Sequence, residues 1–365
     1  MTIEIRPAQN TDAKEWDAIV SKSPQGTIFH QWDWLKITEK HTDYQLYPLF
    51  GIKNEEIIGI FPLFYQRKGP IRMVFSPPPH ASIFYLGPVL AGNTSLKQEK
   101  WEIMYFDFQS SVENFINNYL KSNYTYISLS PALQDPRPFI WSGYIFDSHF
   151  DYVVDISHGC DHLLQSLDKK VRQNLNRSKK RGMTVEIGGQ KEYEIILDMM
   201  DIRYAEQGKT VTESRDYFRD IFNVYQETMK IFVVKYEGEV VTGSIDLQYK
   251  DTHYSWIGSP KPKNRISPSP NDLLMWESVR YACEQGFRYY VTMNAAGNKR
   301  LHSYYASKFD PELRAHFSVK RHSYIVQILE KIHLNVTKPL NVGIKNCKIL
   351  ERGHNTTDLM YNCPE

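Results

Sequence analysis

Hydrophobic positions along the chain switch repeatedly between a period of two and a period near 3.6, and the switches predict its elements. A strand over 2–6 precedes a helix from Asp12, with Asp12 as N-cap and Glu15 three residues on in capping-box spacing. A second helix is expected over 31–40. Two β-rich runs, 46–52 and 57–65, flank Lys53-Asn54-Glu55-Glu56 and read as a hairpin. A further strand from Met73 must stop before Pro77-Pro78-Pro79, because proline cannot donate to a sheet ladder. Helical patterning returns over 97–120, and 124–129 reads as a buried strand.

The same order then restarts. A strand over 152–155 leads into one long helix from Cys160 to about Arg181, closed by Gly182. A strand over 183–187, helices over 192–206 and 215–227, and strands over 231–236, 240–249 and 252–257 follow. Ser269 as N-cap, Pro270 at the first helical position and Asp272 two further on start a helix that runs to Gly286. That helix feeds a strand over 289–293. The tail is expected to hold one amphipathic helix over 323–334. Glu56-Ile57-Ile58-Gly59-Ile60 is echoed by Glu239-Val240-Val241-Thr242-Gly243, and Ser76-Pro77 by Ser259-Pro260 at the same interval. The echo predicts a duplicated domain, and strand–helix alternation predicts α/β sheets with helices on both faces. The expected boundaries are 1–150 and 151–320, with 321–365 as a C-terminal helix and tail.

The length, 365 residues, suits two domains with ordinary cores. A formal net charge of +2 excludes a global attraction to nucleic acid, so any electrostatic binding must be local. No apolar run reaches a membrane span and no secretory leader opens the chain, which makes a cytoplasmic protein the expectation. Cys160, Cys283, Cys347 and Cys363 lack metal or redox spacing, and His30, His80, His253 and His302 lack ligand spacing. No metal and no resident cofactor is expected.

Local charge does exist. From Lys169 to Arg181, seven of thirteen residues are Lys or Arg and none is acidic. Leu163, Leu164, Leu167, Val171 and Leu175 form an apolar stripe at about 100° per residue, which would anchor the helix. Lys169, Arg172, Lys179 and Lys180 then project away from it. A solvated face normally mixes signs, so the missing acids point to an anionic partner. Arginine suits phosphate through its bidentate fork.

Lys170-x-Arg172-x-Asn174 with Lys180-x-Gly182 resembles the motif of the Fem-type peptidoglycan-bridge aminoacyltransferases and their acetyltransferase-like relatives. Phe29-His30-Gln31-x-x-Trp34-x-Lys36, Tyr254-Ser255-Trp256, Asn271 through Trp276-Glu277 to Gly286, and Tyr305 to Phe309 follow in the family's order. The resemblance spans most of the chain. It implies two tandem GNAT-like domains (acyl-CoA N-acyltransferase-like mixed sheets flanked by helices) and transfer of an aminoacyl or acyl group to an amine. It further implies a nucleotide- or lipid-linked, phosphate-bearing cell-envelope precursor as acceptor. Lys36 and Arg172 would hold the acceptor's diphosphate, with Trp34, Asn174 and Lys180 in the same motifs. The donor would be aminoacyl-tRNA or acyl-CoA, with peripheral membrane contact left open and no DNA. One alternative is acyl-CoA-dependent N-acetylation in polysaccharide or amino-sugar synthesis. Another is a non-catalytic module that binds a phosphate ligand.

The chain departs from the family near its end. With Phe309 aligned, the family's carbonyl-stabilising lysine falls on Ala306 and its glycine on Asp310. Lys308 stands two residues later, about 7 Å along an extended chain, and is either catalytic or an ordinary surface lysine. Tyr305 and Tyr254 are candidate oxyanion donors, and Asp246 is a candidate base for the amine or a paired strand carboxylate. Coenzyme A in a backbone cradle is disfavoured, because Pro268 and Pro270 remove N–H donors and Asp272 puts negative charge in the first helical turn. Arg265 would contact phosphate from the side.

Overall fold

The computed structural model describes residues 3–91, 96–258, 266–293 and 308–323. The elements in chain order are β1 (Glu4–Pro7), α1 (Ala13–Lys22), α2 (Trp32–His41), β2 (Gln45–Lys53), β3 (Glu56–Lys68), β4 (Ile71–Ser76), β5 (Val89–Leu90), α3 (Gln98–Asn114), β6 (Tyr124–Ser128), α4 (Arg137–Trp141) and β7 (Ile145–Asp155). Then come α5 (Cys160–Ser166), α6 (Lys169–Lys180), β8 (Thr184–Gly188), α7 (Gln190–Glu206), α8 (Arg215–Tyr225), β9 (Met229–Tyr236), β10 (Glu239–Tyr249), β11 (Thr252–Ile257), α9 (Pro270–Glu284), β12 (Tyr289–Val291) and β13 (Glu312–His322). Two compact units result. The first runs through His149 and takes back the chain from His316; the second is built on Phe150–Ala315.

The units share one plan. In the first, β1, β2, β3 and β4 pair antiparallel in sequence, and β6 adds parallel to β4 after α3. In the second, β8, β9, β10 and β11 do the same, and β12 adds parallel to β11 after α9. The hairpins β2–β3 and β9–β10 turn on Asn54-Glu55 and Glu237-Gly238, all four residues at positive φ, the conformation that matches strand twist in two-residue turns. A sixth strand completes each sheet, and in the first unit it returns from far along the sequence. β12 takes β7 (Tyr290↔Val154), and β6 takes β13 (Val319↔Ile127). β13 was not anticipated from the sequence.

Side-chain alternation sends helices to both faces. In the first unit, Leu49, Phe61, Leu63 and Val74 pack with Tyr105, Phe108 and Val112 of α3, while Phe50 points the other way to meet Trp16 of α1. In the second, Phe232 and Val234 of β9 join Leu163, Val171, Leu175, Leu273 and Val279 beneath α5, α6 and α9. Gly243 of β10 faces Ile196 of α7. A Cβ there would stand 2.6 Å from the Phe232 carbonyl and 2.8 Å from Ile196. Gly243→Ala is therefore expected to lower unfolding free energy by about 2 kcal/mol in urea denaturation, since backbone cannot yield as a flexible side chain does.

Three local expectations are corrected. Asp12 holds the N-cap position of α1 but makes no side-chain cap bond there: its Oδ2 accepts from Gln9 N at 2.8 Å and Arg6 Nη1 at 2.9 Å, closing the preceding turn instead. The single helix from Cys160 is two, because Leu167 is extended and Asp168 starts α6 anew. Leu164 is exposed, and Leu163, Leu167, Val171 and Leu175 carry the buried stripe. The expected helix over 323–334 lies outside the described residues, apart from Ser323.

Candidate functional site

α6 and the N-terminal turn of α9 pack together in the second unit, and the sequence of each explains the pairing. The buried stripe fixes the rotation of α6, and a Schellman closure fixes its end: Met183 N donates to Ser178 O and Gly182 N to Lys179 O, with Gly182 at φ +80. That rotation turns Asn174 toward α9, where its Nδ2 donates to Asp272 Oδ2 at 2.9 Å. The other carboxylate oxygen of Asp272 meets Lys308 Nζ at 3.2 Å. Lys308 is only 4% exposed and Asp272 8%.

This overturns two readings. Lys308 is no surface lysine, and the charge of Asp272 does not stand alone in the first turn of α9. Burial drives the Lys308 ammonium down to about 8, and Asp272, with a smaller contribution from Asp168, opposes the fall. The ammonium and the free amine are thus both accessible near neutral pH. Phe309 then stacks parallel on Trp276 with centroids 6.1 Å apart, which holds the segment carrying Lys308 against α9. Asp310 has φ +47, so it keeps the left-handed backbone that a glycine would serve at that position.

Around this core α6 shows a cationic face. Arg172 donates through Nη1 to the carbonyls of Gln165 (2.8 Å) and Leu167, tying down the C-terminal end of α5. Its Nε and Nη2 have no partner among the described residues. Lys179 contradicts the absence of acids, since Glu277 of α9 meets it at 3.1 Å. Arg181 donates to the Ser267 carbonyl. Lys169, Lys170, Arg177 and Lys180 are exposed and have no acidic partner among the described residues.

The remaining candidates lie elsewhere. Asp246 of β10 is fully buried beneath α9. Its Oδ2 accepts from His253 Nε2 at 3.0 Å and from the Ser278 hydroxyl, while His253 stacks on Tyr290 at 5.4 Å. Asp246 is thus a buried, paired carboxylate, closed off from solvent. Tyr254 lies on β11, and burial raises its phenol well above the usual range, so it remains a proton donor. In the first unit, Trp34 is fully buried on α2 with its ring edge-on to Phe29 at 5.0 Å, a packing role. Lys36, one turn-face along, pairs with Glu39. Tyr305 and Arg265 lie outside the described residues. The Asn174–Asp272–Lys308 contact was missed because its members come from three distant segments. Only the helix-start signal at Ser269-Pro270 hinted at where Asp272 would sit.

Residues 165–300, which include Arg172, Asn174 and Asp272 but stop short of Lys308, match the family described as Acetyltransferase (GNAT) domain. The second unit therefore carries an acyltransferase domain of the GNAT type. No curated protein matches the chain by sequence. Among solved structures, FemX is similar at 15% identity, over 90% of this chain and 99% of FemX, with a TM-score of 0.65. L-PGS from Bacillus licheniformis is similar at 14% identity, over 93% of this chain and all of that one (100%), with a TM-score of 0.51. A tandem GNAT protein from the clavulanic acid biosynthesis pathway shares 11% identity, covers 87% of this chain and 98% of its own, and has a TM-score of 0.51. Together with the two units of one plan, these likenesses show a tandem GNAT-like fold. Among the described residues no helix is long and apolar enough to cross a membrane, and no group of three acidic, His or Cys side chains is arranged to hold a metal.

Proposed function

We propose that the protein moves an aminoacyl or other acyl group onto an amine of a phosphate-bearing, nucleotide- or lipid-linked cell-envelope precursor. The observation that carries this reading is the exposed cationic face of α6, where Lys169, Lys170, Arg177 and Lys180 have no acidic partner among the described residues, on the same helix that supplies Asn174 to the buried Asp272–Lys308 pair. Attack of an amine on an ester or thioester carbonyl builds an oxyanion, and a fixed ammonium in a dry site stabilises it strongly. Lys308 supplies that ammonium, and Asp272 and Asn174 hold it in place. The free guanidinium edge of Arg172 and the ammonium of Lys180 take the acceptor's phosphate. Much of the remaining rate comes from positioning, because the donor is already activated.

An acyl-CoA donor is the second reading, and one observation favours it. Lys308 compensates Asp272, so the first turn of α9 presents no uncompensated negative charge to a pyrophosphate. Pro270 at the first helical position removes only one of the orphan N–H groups of that turn.

Incubating the protein with charged total tRNA, acyl-CoAs and extracted nucleotide-sugar precursors, followed by mass spectrometry, separates the readings. An aminoacyl mass gain on a nucleotide-linked precursor supports the first. An acyl gain that requires only acyl-CoA supports the second, and no gain on any amine defeats both. Arg172→Ala is expected to raise the acceptor KM at least about tenfold through loss of a charge-assisted phosphate contact. Steady-state kinetics at two salt concentrations checks this: the wild-type KM climbs with salt more steeply than that of the variant.

A further inference from the structure

Cys160 opens α5 and Cys283 sits near the end of α9, so they are far apart in sequence but adjacent in space. The Cys160 thiol reaches the carbonyl of Arg280 at 3.7 Å, one turn before Cys283 on the same helix. The Cys160 sulfur is also near enough to act electrostatically on the Cys283 thiol. Both thiols are free and partly exposed. The helices that carry them share one core, where Leu163 and Leu167 pack with Val279 and Ala282. Arg172 fixes the far end of α5 through two carbonyls. A bridge between the sulfurs would thus join two helices that already pack in one core.

We propose that Cys160 and Cys283 are a redox-modifiable pair that closes to a disulfide on exposure to a hydroperoxide, stapling α5 to α9. Burial and the neighbouring sulfur push the Cys283 thiol up to about 12, so Cys283 remains a thiol at neutral pH. Cys160 is then the attacking sulfur. Its thiolate takes the distal oxygen of the hydroperoxide, the O–O bond breaks, and alkoxide leaves as the alcohol after protonation; Cys160 becomes the sulfenic acid. Cys283 next attacks the Cys160 sulfur, the S–O bond breaks, and the hydroxyl leaves as water with the Cys283 proton. In sum, two thiols are oxidised by two electrons and one hydroperoxide is reduced to an alcohol and water. The consequence for the molecule is mechanical. α9 carries Asp272 and Glu277, the partners of Lys308, Asn174 and Lys179, so the staple joins the helix that supports the site to the start of α5.

The test uses the full chain, reduced and then treated with hydrogen peroxide, alkylated and digested without reductant. A cross-linked peptide joining Cys160 to Cys283, about 2 Da lighter than the sum of its thiol halves and released by dithiothreitol, is expected. Cys283→Ser should trap Cys160 as a sulfenic acid that dimedone labels, and Cys160→Ser should leave Cys283 unoxidised and fully alkylated. Full alkylation of both thiols in the treated wild type, or cross-links from either one to Cys347 or Cys363, overturns the proposal. The wild-type readout stands whether or not a serine variant folds.

Discussion

Lys308→Ala is expected to lower kcat by about 10²–10³-fold with the fold intact, the loss typical of one donor to a developing oxyanion. Rate measurement against pH ties the loss to the ammonium. The folded-state value for Lys308 is about 8, below the 10.5 of a solvated lysine, so wild-type kcat should fall as pH rises through about 8. Asp272→Asn removes the group that holds the ammonium up, and the fall should move to lower pH. Lys308→Arg, which keeps its charge, should lose the fall. A kcat unchanged by Lys308→Ala would exclude this lysine from the chemistry.

Stability carries the same signature with its own sign. Between about 8 and 10.5 the unfolded chain holds more protons at this lysine than the folded chain does, so its contribution to stability rises with pH across that window and is flat below it. Urea denaturation at intervals from neutral to alkaline pH should show this slope in the wild type and not in Lys308→Met.

Asp246→Ala is expected to destabilise the second unit by about 3 kcal/mol, by removing the acceptor that a fully buried imidazole and a buried hydroxyl both use. Urea denaturation followed by circular dichroism measures it. The conservative Asp246→Asn keeps one acceptor oxygen and should cost less. A loss below about 0.5 kcal/mol, the range of ordinary surface substitutions, would show that the Asp246–His253–Ser278 cluster does not hold β10, β11 and α9 together.

Much of the fold was legible because its signals are local. The hairpin at Asn54-Glu55, the stop before Pro77, the Gly182 closure and the Ser269-Pro270 helix start each rest on the conformational preferences of a few adjacent residues, and each element formed there. The break between α5 and α6 was not legible. The apolar stripe runs through Leu167 without interruption, and the Arg172 side chain folding back onto the Gln165 and Leu167 carbonyls, with the Ser166 hydroxyl on the Leu163 carbonyl, compensates the end that the break exposes. β13 was hidden for a related reason: its partner strand β6 lies in the other half of the sequence.

At the candidate site, sequence named Asn174, Asp272 and Lys308 separately and misjudged their surroundings. Asp272 was correctly placed in the first turn of α9, yet its charge is compensated by a lysine on a separate segment. Lys179 has no acid within its own segment, and its partner Glu277 stands on α9. Trp34 belonged to a functional motif by resemblance and is a packing residue by position. By itself, the sequence determined most of the strand and helix order, the duplication and the cationic character of α6, since periodicity and turn chemistry act over a few residues. Only the tertiary structure decided which charges are paired, which are buried, and that Asn174, Asp272 and Lys308 meet. Burial and Coulomb interaction depend on distance through space, and spacing along the chain does not encode that distance.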